Sequence, residues 1–97
     1  MKYNKKIIQL LYGQIEEEKN KLEDEKFKQQ FLYVCNQEYI SQMKIIVAIM
    51  NTVYHLLMFN QLSRALRYVV ILSITINNLK QNVTQECKTK SADFFHN

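Results

Sequence analysis

At 97 residues the chain has room for one domain or subunit, and its composition, 47% hydrophobic and 23% charged, excludes an intrinsically disordered polymer. One glycine and no proline disfavour a hairpin-rich β fold, because tight turns draw on Gly, Pro, Asn and Asp. The net charge of +4 is too mild to imply nucleic acid, but it is unevenly placed: residues 1–39 balance seven Lys against seven acids, while residues 40–79 carry only Lys44, Arg64 and Arg67.

The first predicted element is a helix over residues 3–34, bent at Gly13. Ile8, Leu11, Ile15, Leu22 and Leu32 fall near one face at helical spacing. Its centre, EEEKNKLEDEK, holds one apolar residue in eleven and reads as a solvated stretch that packs at its two ends. Glu17–Lys21 and Asp24–Lys28 are i,i+4 pairs of the favourable polarity. At the start, Lys2, Lys5 and Lys6 precede Ile7, Ile8, Leu10 and Leu11, and no acid appears before Glu16. This basic amphipathic opening resembles a mitochondrial targeting segment, although it lacks Arg and is poor in Ser. Leu11-Tyr12-Gly13 resembles the Leu-Tyr-Arg signature of small mitochondrial three-helix accessory proteins, with Gly13 where the signature has Arg. A likeness of three residues implies no function, and no family is assigned on it.

A second helix is predicted over 37–59, with Asn36 as its N-cap. Its polar residues Ser41, Lys44, Asn51 and His55 make a narrow stripe on an apolar cylinder. The stripe fails at Asn60-Gln61, which marks a link or sharp bend. A third helix is expected over 61–81, with Leu62, Ala65, Leu66, Val69, Ile76 and Leu79 on one face and Arg64, Arg67, Asn78 and Gln81 on another. The run from Tyr68 to Ile76 also has high strand propensity, so helix and strand both stay open there. Residues 83–97 read as an irregular tail that Phe94 and Phe95 anchor. The expected architecture is thus all-α: a single unit with a charged helical arm (1–36), an apolar helical core (37–82) and a tail, forming an extended hairpin or small bundle.

Ile45–Phe59 supplies fifteen residues of the roughly 20 that a membrane span needs, and it includes Asn51 and His55. Ala65–Ile76 is shorter and contains Arg67, which costs about 2.5–3.5 kcal/mol at a bilayer centre. Neither block reads as a convincing single span.

Catalytic chemistry finds no support. His55 has no Cys, Asp or Glu at i±3 or i±4, and His96 falls in the tail. Cys35 and Cys87 are 52 residues apart, with no CxxC, and are read as free thiols. The sole glycine rules out a phosphate-cradling loop. Asn82-Val83-Thr84 is a glycosylation sequon without a signal peptide before it and is read as coincidental. Gln61–Arg67 has the outward Ser63, Arg64 and Arg67 of a DNA-recognition helix, but the helix before it is long and apolar, so nucleic acid is not an expected partner.

The expectation is a non-catalytic accessory or structural subunit of a larger multi-protein assembly, membrane-associated and mitochondrial (inner membrane), binding no metal or other cofactor. Its partners would be other protein subunits, with an anionic lipid surface and a homodimer as further classes. The residues expected to meet neighbours are Ile45, Ile49, Val53, Leu57, Leu62, Leu66, Val69 and Ile76, together with Arg64 and Arg67. The alternatives are an integral membrane subunit with one or two short spans within 45–76, and a self-contained soluble, cytoplasmic module that binds protein or nucleic acid.

Overall fold

The computed structural model describes the backbone of residues 2–96 and the side-chain surroundings of residues 5–92. Four helices follow one another, α1 (Lys2–Leu22), α2 (Glu25–Val34), α3 (Gln37–Met58) and α4 (Leu62–His96), and no strand occurs among the described residues. The all-α class holds, with four helices in place of about three.

The helix expected over 3–34 is broken, and not at Gly13. α1 runs unbroken through Gly13 and stops at Leu22, where the Glu23 N–H turns back to the Asn20 carbonyl at 3.1 Å. Asp24 then restarts the chain as N-cap of α2, its carboxylate accepting the Phe27 N–H at 3.0 Å. The restart changes the phase. Phe27 and Phe31 turn toward the core, and Leu32, which a continuous helix would bury, is 73% exposed. It also re-pairs the charges. Asp24 is committed to the cap, so Lys28 lies 3.8 Å from Glu25, and Lys21 joins Glu18 at 2.8 Å in place of Glu17. Glu18 is buried and Leu22 packs on the core, so the charged centre of α1 is not solvated all round.

Two short joints set the path of the other helices. Cys35 ends α2 in the left-handed region (φ 35°), its N–H bonded to the Phe31 carbonyl at 2.8 Å. A residue with a Cβ pays about 1–2 kcal/mol there. Asn36 caps α3 as expected, accepting the Glu38 N–H at 2.8 Å. At the far end of α3 the Asn60 N–H bonds to the Leu57 carbonyl (3.1 Å) and the Gln61 N–H to that of Leu56 (2.9 Å). With Asn60 at φ 57°, this is a Schellman closure, which satisfies helix-end carbonyls and reverses the chain. The phase break at Asn60-Gln61 is therefore a turn.

α4 is longer than expected. Its 35 residues make a helix of about 52 Å, and residues 83–96 continue it where an irregular tail was predicted. Nothing after Gln81 breaks a helix, and α2 offers this segment a partner. Val83 is fully buried, Thr84 Oγ1 meets Gln30 Oε1 at 3.1 Å, and Lys90 Nζ donates to the Tyr33 carbonyl at 2.8 Å. The side chains of Phe94, Phe95 and His96 lie outside the described residues. The β-prone run Tyr68–Ile76 is helical throughout, because Leu72 and Ile76 gain full burial and Thr75 bonds within the helix to the Ile71 carbonyl at 2.7 Å.

α4 is the spine. α1 and α2 lie end to end and run parallel to it, with Ile15 near Val69, Lys21 near Asn77, Gln30 near Thr84 and Tyr33 near Lys90. α3 returns antiparallel and packs mainly on α4, touching α1 only lightly. The result is a rod of 63 × 19 × 15 Å. Its core forms two clusters in series. Leu11, Ile15, Val53, Leu57, Ala65 and Val69 fill the half that holds the α3–α4 turn. Phe27, Tyr39, Ile46, Met50, Leu72, Ile76, Leu79 and Val83 fill the other. Each large member contributes about 1.5–3 kcal/mol by leaving water.

Candidate functional site

The titratable and nucleophilic side chains are scattered. His55 is exposed on α3 and lies against Phe59 with the rings tilted at 59° and their centroids 4.8 Å apart. Cys35 and Cys87 are free thiols, the first exposed and the second half-buried. Among the described residues no group of three or more His, Cys, Asp or Glu side chains is placed to hold a metal ion.

A partly buried polar cluster lies in the half away from the α3–α4 turn. The Tyr39 hydroxyl donates to the Asn82 carbonyl at 3.2 Å and lies beside the Glu86 carboxylate. Burial pushes the phenol pKa up. The neighbouring Glu86 carboxylate pushes it the same way, and Glu38 adds the last increment. Glu86 Oε2 is buried without a hydrogen-bond partner. The cluster joins α3 to α4.

What the structure offers instead is apolar surface. Fourteen large apolar side chains are exposed, as many as the fourteen that form the buried core, an excess that scattered surface hydrophobes do not explain. Most of them fall into three places. The outward side of α4 carries Leu66, Val70 and Ile74 at i,i+4 spacing, with Ile71 next round the helix beyond Arg67 and Tyr68 on the far flank, each of these apolar residues more than a third exposed. A groove between α2 and α3, with a volume of about 390 Å³, is lined by Phe31, Ile40, Met43, Lys44 and Val47. The end of the rod at the α3–α4 turn presents Ile7, Leu10, Met58 and Phe59.

The residues expected to face neighbours divide into three groups. Val53, Leu57, Val69 and Ile76 are spent on the chain's own core. Ile49 and Leu62 are half-buried against it. Ile45, Leu66, Arg64 and Arg67 remain at the surface. Sequence reasoning took the strongest apolar face of each helix as the outer one, whereas α3 and α4 use those faces on each other. The exposed set, Val70, Ile71 and Ile74 above all, was legible only as the second apolar face of a helix that is apolar nearly all round. The polar stripe Ser41, Lys44, Asn51 and His55 does face solvent.

α3 is the one described helix long and apolar enough, at 22 residues, to cross a membrane, and only 22% of its most apolar window is buried within the chain. Compared with protein-family models, with curated proteins and with solved structures, the chain matches none.

Proposed function

We propose that this chain is a non-catalytic accessory subunit of a larger, membrane-associated mitochondrial assembly, contributing protein–protein contacts through its apolar helix faces. The observation that carries the reading is the outward face of α4. Leu66, Val70, Ile71 and Ile74 lie exposed along a helix packed on its other side by α1 and α3; α4 places no carboxylate among them, and Glu17 and Glu18 of α1 border the patch on one flank. Such a face matches the helix-in-groove mode of association, in which residues at i, i+4 and i+8 anchor one helix on another. The mitochondrial assignment is supported by the basic, acid-free start of α1, with Lys2, Lys5 and Lys6 ahead of Ile7 and Ile8.

The test is the size of the particle that contains the chain in a gentle native extract. The expected result is elution far above the 11.7 kDa of the monomer, with Val70→Glu/Ile74→Glu released to monomer size while its helical circular dichroism is unchanged. Elution of the unaltered chain as a monomer would overturn the reading.

A second reading, an integral subunit, is favoured by the length and low internal burial of α3. Alkaline carbonate extraction separates the two: an accessory subunit is released from membranes and an integral one is retained.

A further inference from the structure

Three segments far apart in sequence converge at one end of the rod. Ile7 and Leu10 of α1 flank Leu62, Ser63 and Leu66 of α4, and the Schellman turn brings Met58 and Phe59 to the same end. These tips are among the least covered apolar side chains in the molecule, with Met58 75%, Leu10 64% and Phe59 62% exposed. Around them stand Lys5, Lys6, Arg64 and Arg67, all exposed. The first carboxylate along α1 is Glu16, and none occurs on α3 or α4 between Glu38 and Glu86. The α1 carboxylates that border Leu66 are Glu17 and Glu18, with Glu17 about two helical turns along α1 from Leu10.

The placement of these cations runs against local helix energetics. α1 and α4 are parallel, so both present their N-termini at this end, where the macrodipole favours negative charge. α2 and α3 follow that preference with Glu25 and Glu38 in their first turns, whereas α1 and α4 have no acid there and α4 opens with Arg64. The Arg64 guanidinium is steadied by Gln61 Oε1 at 3.3 Å. An end built from apolar tips, four cations and two unneutralised helix N-termini calls for an anionic surface from outside.

We propose that this end is a docking tip for an anionic lipid bilayer, with Met58, Phe59 and Leu10 entering the interfacial layer and Lys5, Lys6, Arg64 and Arg67 meeting lipid phosphates. A bilayer fits better than a protein partner for a reason of chemistry. The apolar tips and cations of this end lie close together, and a bilayer offers acyl chains to the one and phosphates to the other across a single surface. In membrane attachment a few inserted side chains and a cluster of cations act together, each cation adding about fivefold in affinity. Arg67 falls between Val70 and Ile71 around α4, so Met58 and Phe59, which lie off the outward face, are the residues that let the two proposals fail independently.

The experiment is flotation of the full chain with vesicles of phosphatidylcholine alone and of equimolar phosphatidylcholine and phosphatidylserine. Binding is expected only to the second, and it weakens as salt rises. Arg64→Gln/Arg67→Gln lowers affinity roughly twentyfold. Met58→Ser/Phe59→Ser weakens it further, and Val70→Glu/Ile74→Glu leaves it unchanged. A Phe59→Trp reporter shifts its emission to the blue on binding and is quenched by brominated lipid. Should Met58→Ser/Phe59→Ser fail to fold, the arginine pair and the reporter still decide. Equal binding to both vesicles, no binding to either, or an unquenched reporter would overturn the proposal. So would concentration-dependent dimerisation that the tip substitutions abolish, since a second copy would then be the occupant.

Discussion

The two halves of the rod are built from the same long helices and hold them together by different means. In the half beyond Lys21, polar groups bridge the helices. Lys21 reaches Asn77, Tyr39 reaches the Asn82 carbonyl, Gln30 meets Thr84, and Lys90 caps the Tyr33 carbonyl while lying 4.8 Å from the centre of its ring. Lys80 sits over the Phe27 ring in the same way, at 5.6 Å. In the half with the α3–α4 turn, no side-chain hydrogen bond joins two helices among the described residues. Closure there rests on apolar packing and on the Tyr12–Tyr54 stack, with centroids 5.7 Å apart. Directional bonds fix register and use up surface, whereas apolar packing alone leaves register soft and apolar flanks open. The difference teaches how each half is held: one is closed by polar cross-links and the other is left open to sliding, while exposed apolar side chains occur on both, Leu32 and Val47 on the first and Leu66 and Val70 on the second.

The largest effect that tests this contrast is a matched pair of core truncations. Leu72 and Leu57 are both buried, one in each cluster. Leu→Ala costs about 2–5 kcal/mol, and the cost depends on how well the site collapses around the void. Leu72→Ala, among helices tied by cross-links, should lie near the top of that range, and Leu57→Ala, where helices are free to slide, nearer the bottom. Urea denaturation followed by helical circular dichroism measures both. A larger loss for Leu57→Ala would break the contrast.

Much of this organisation was legible beforehand, and the reasons differ by residue. The Asn36 cap and the turn at Asn60-Gln61 are local events, written in a side chain that can bond its own backbone or adopt a left-handed φ, so sequence alone located them. The break at Glu23-Asp24 was missed because Asp24 is equally well read as half of an ion pair. Only the Phe27 N–H, 3.0 Å away, shows it acting as a cap. The extension of α4 past Gln81 was missed because it depends on α2, a partner 54 to 57 residues away in sequence at the Gln30–Thr84 and Tyr33–Lys90 contacts. Which apolar face of α4 lies inward is a tertiary fact. Val69 and Val70 are adjacent and chemically identical, and only the packing of α1 and α3 decides that one is buried and the other exposed.

An effect of intermediate size should come from the closed half alone. The Tyr39 phenol has a raised pKa in the folded chain, first from burial and then from Glu86. Between the unfolded and folded pKa values the unfolded chain has lost this proton while the folded chain keeps it. Tyr39 therefore contributes stability that is complete below about pH 10 and is lost as pH rises through the folded-state pKa. In an ultraviolet titration of the six tyrosines, one should ionise later than a free phenol. Glu86→Gln should bring it back part of the way, since burial, the larger cause, remains. A Tyr39 that titrates with the rest would mean that α3 and α4 part here in solution, and that this half is less closed than the contrast requires.

The smallest effect sits in the open half and separates its internal stability from its outward use. Gly13 lies within α1 on an exposed position, and a Cβ added there would meet nothing within 4 Å. Its backbone is helical and its φ is negative, so no conformation reserved for glycine is involved. Gly13→Ala should therefore stabilise the isolated chain by about 0.5–1 kcal/mol, through the smaller entropy lost when alanine joins a helix. For a domain of this size that is a rise in Tm of a few degrees, readable by thermal circular dichroism. The same variant assembled with its partners carries a second message. If the open half is covered by a neighbour that approaches the α1 backbone closely at Gly13, the added methyl group stabilises the chain and weakens the particle at once. If the neighbour lies along α4 instead, both measurements move together.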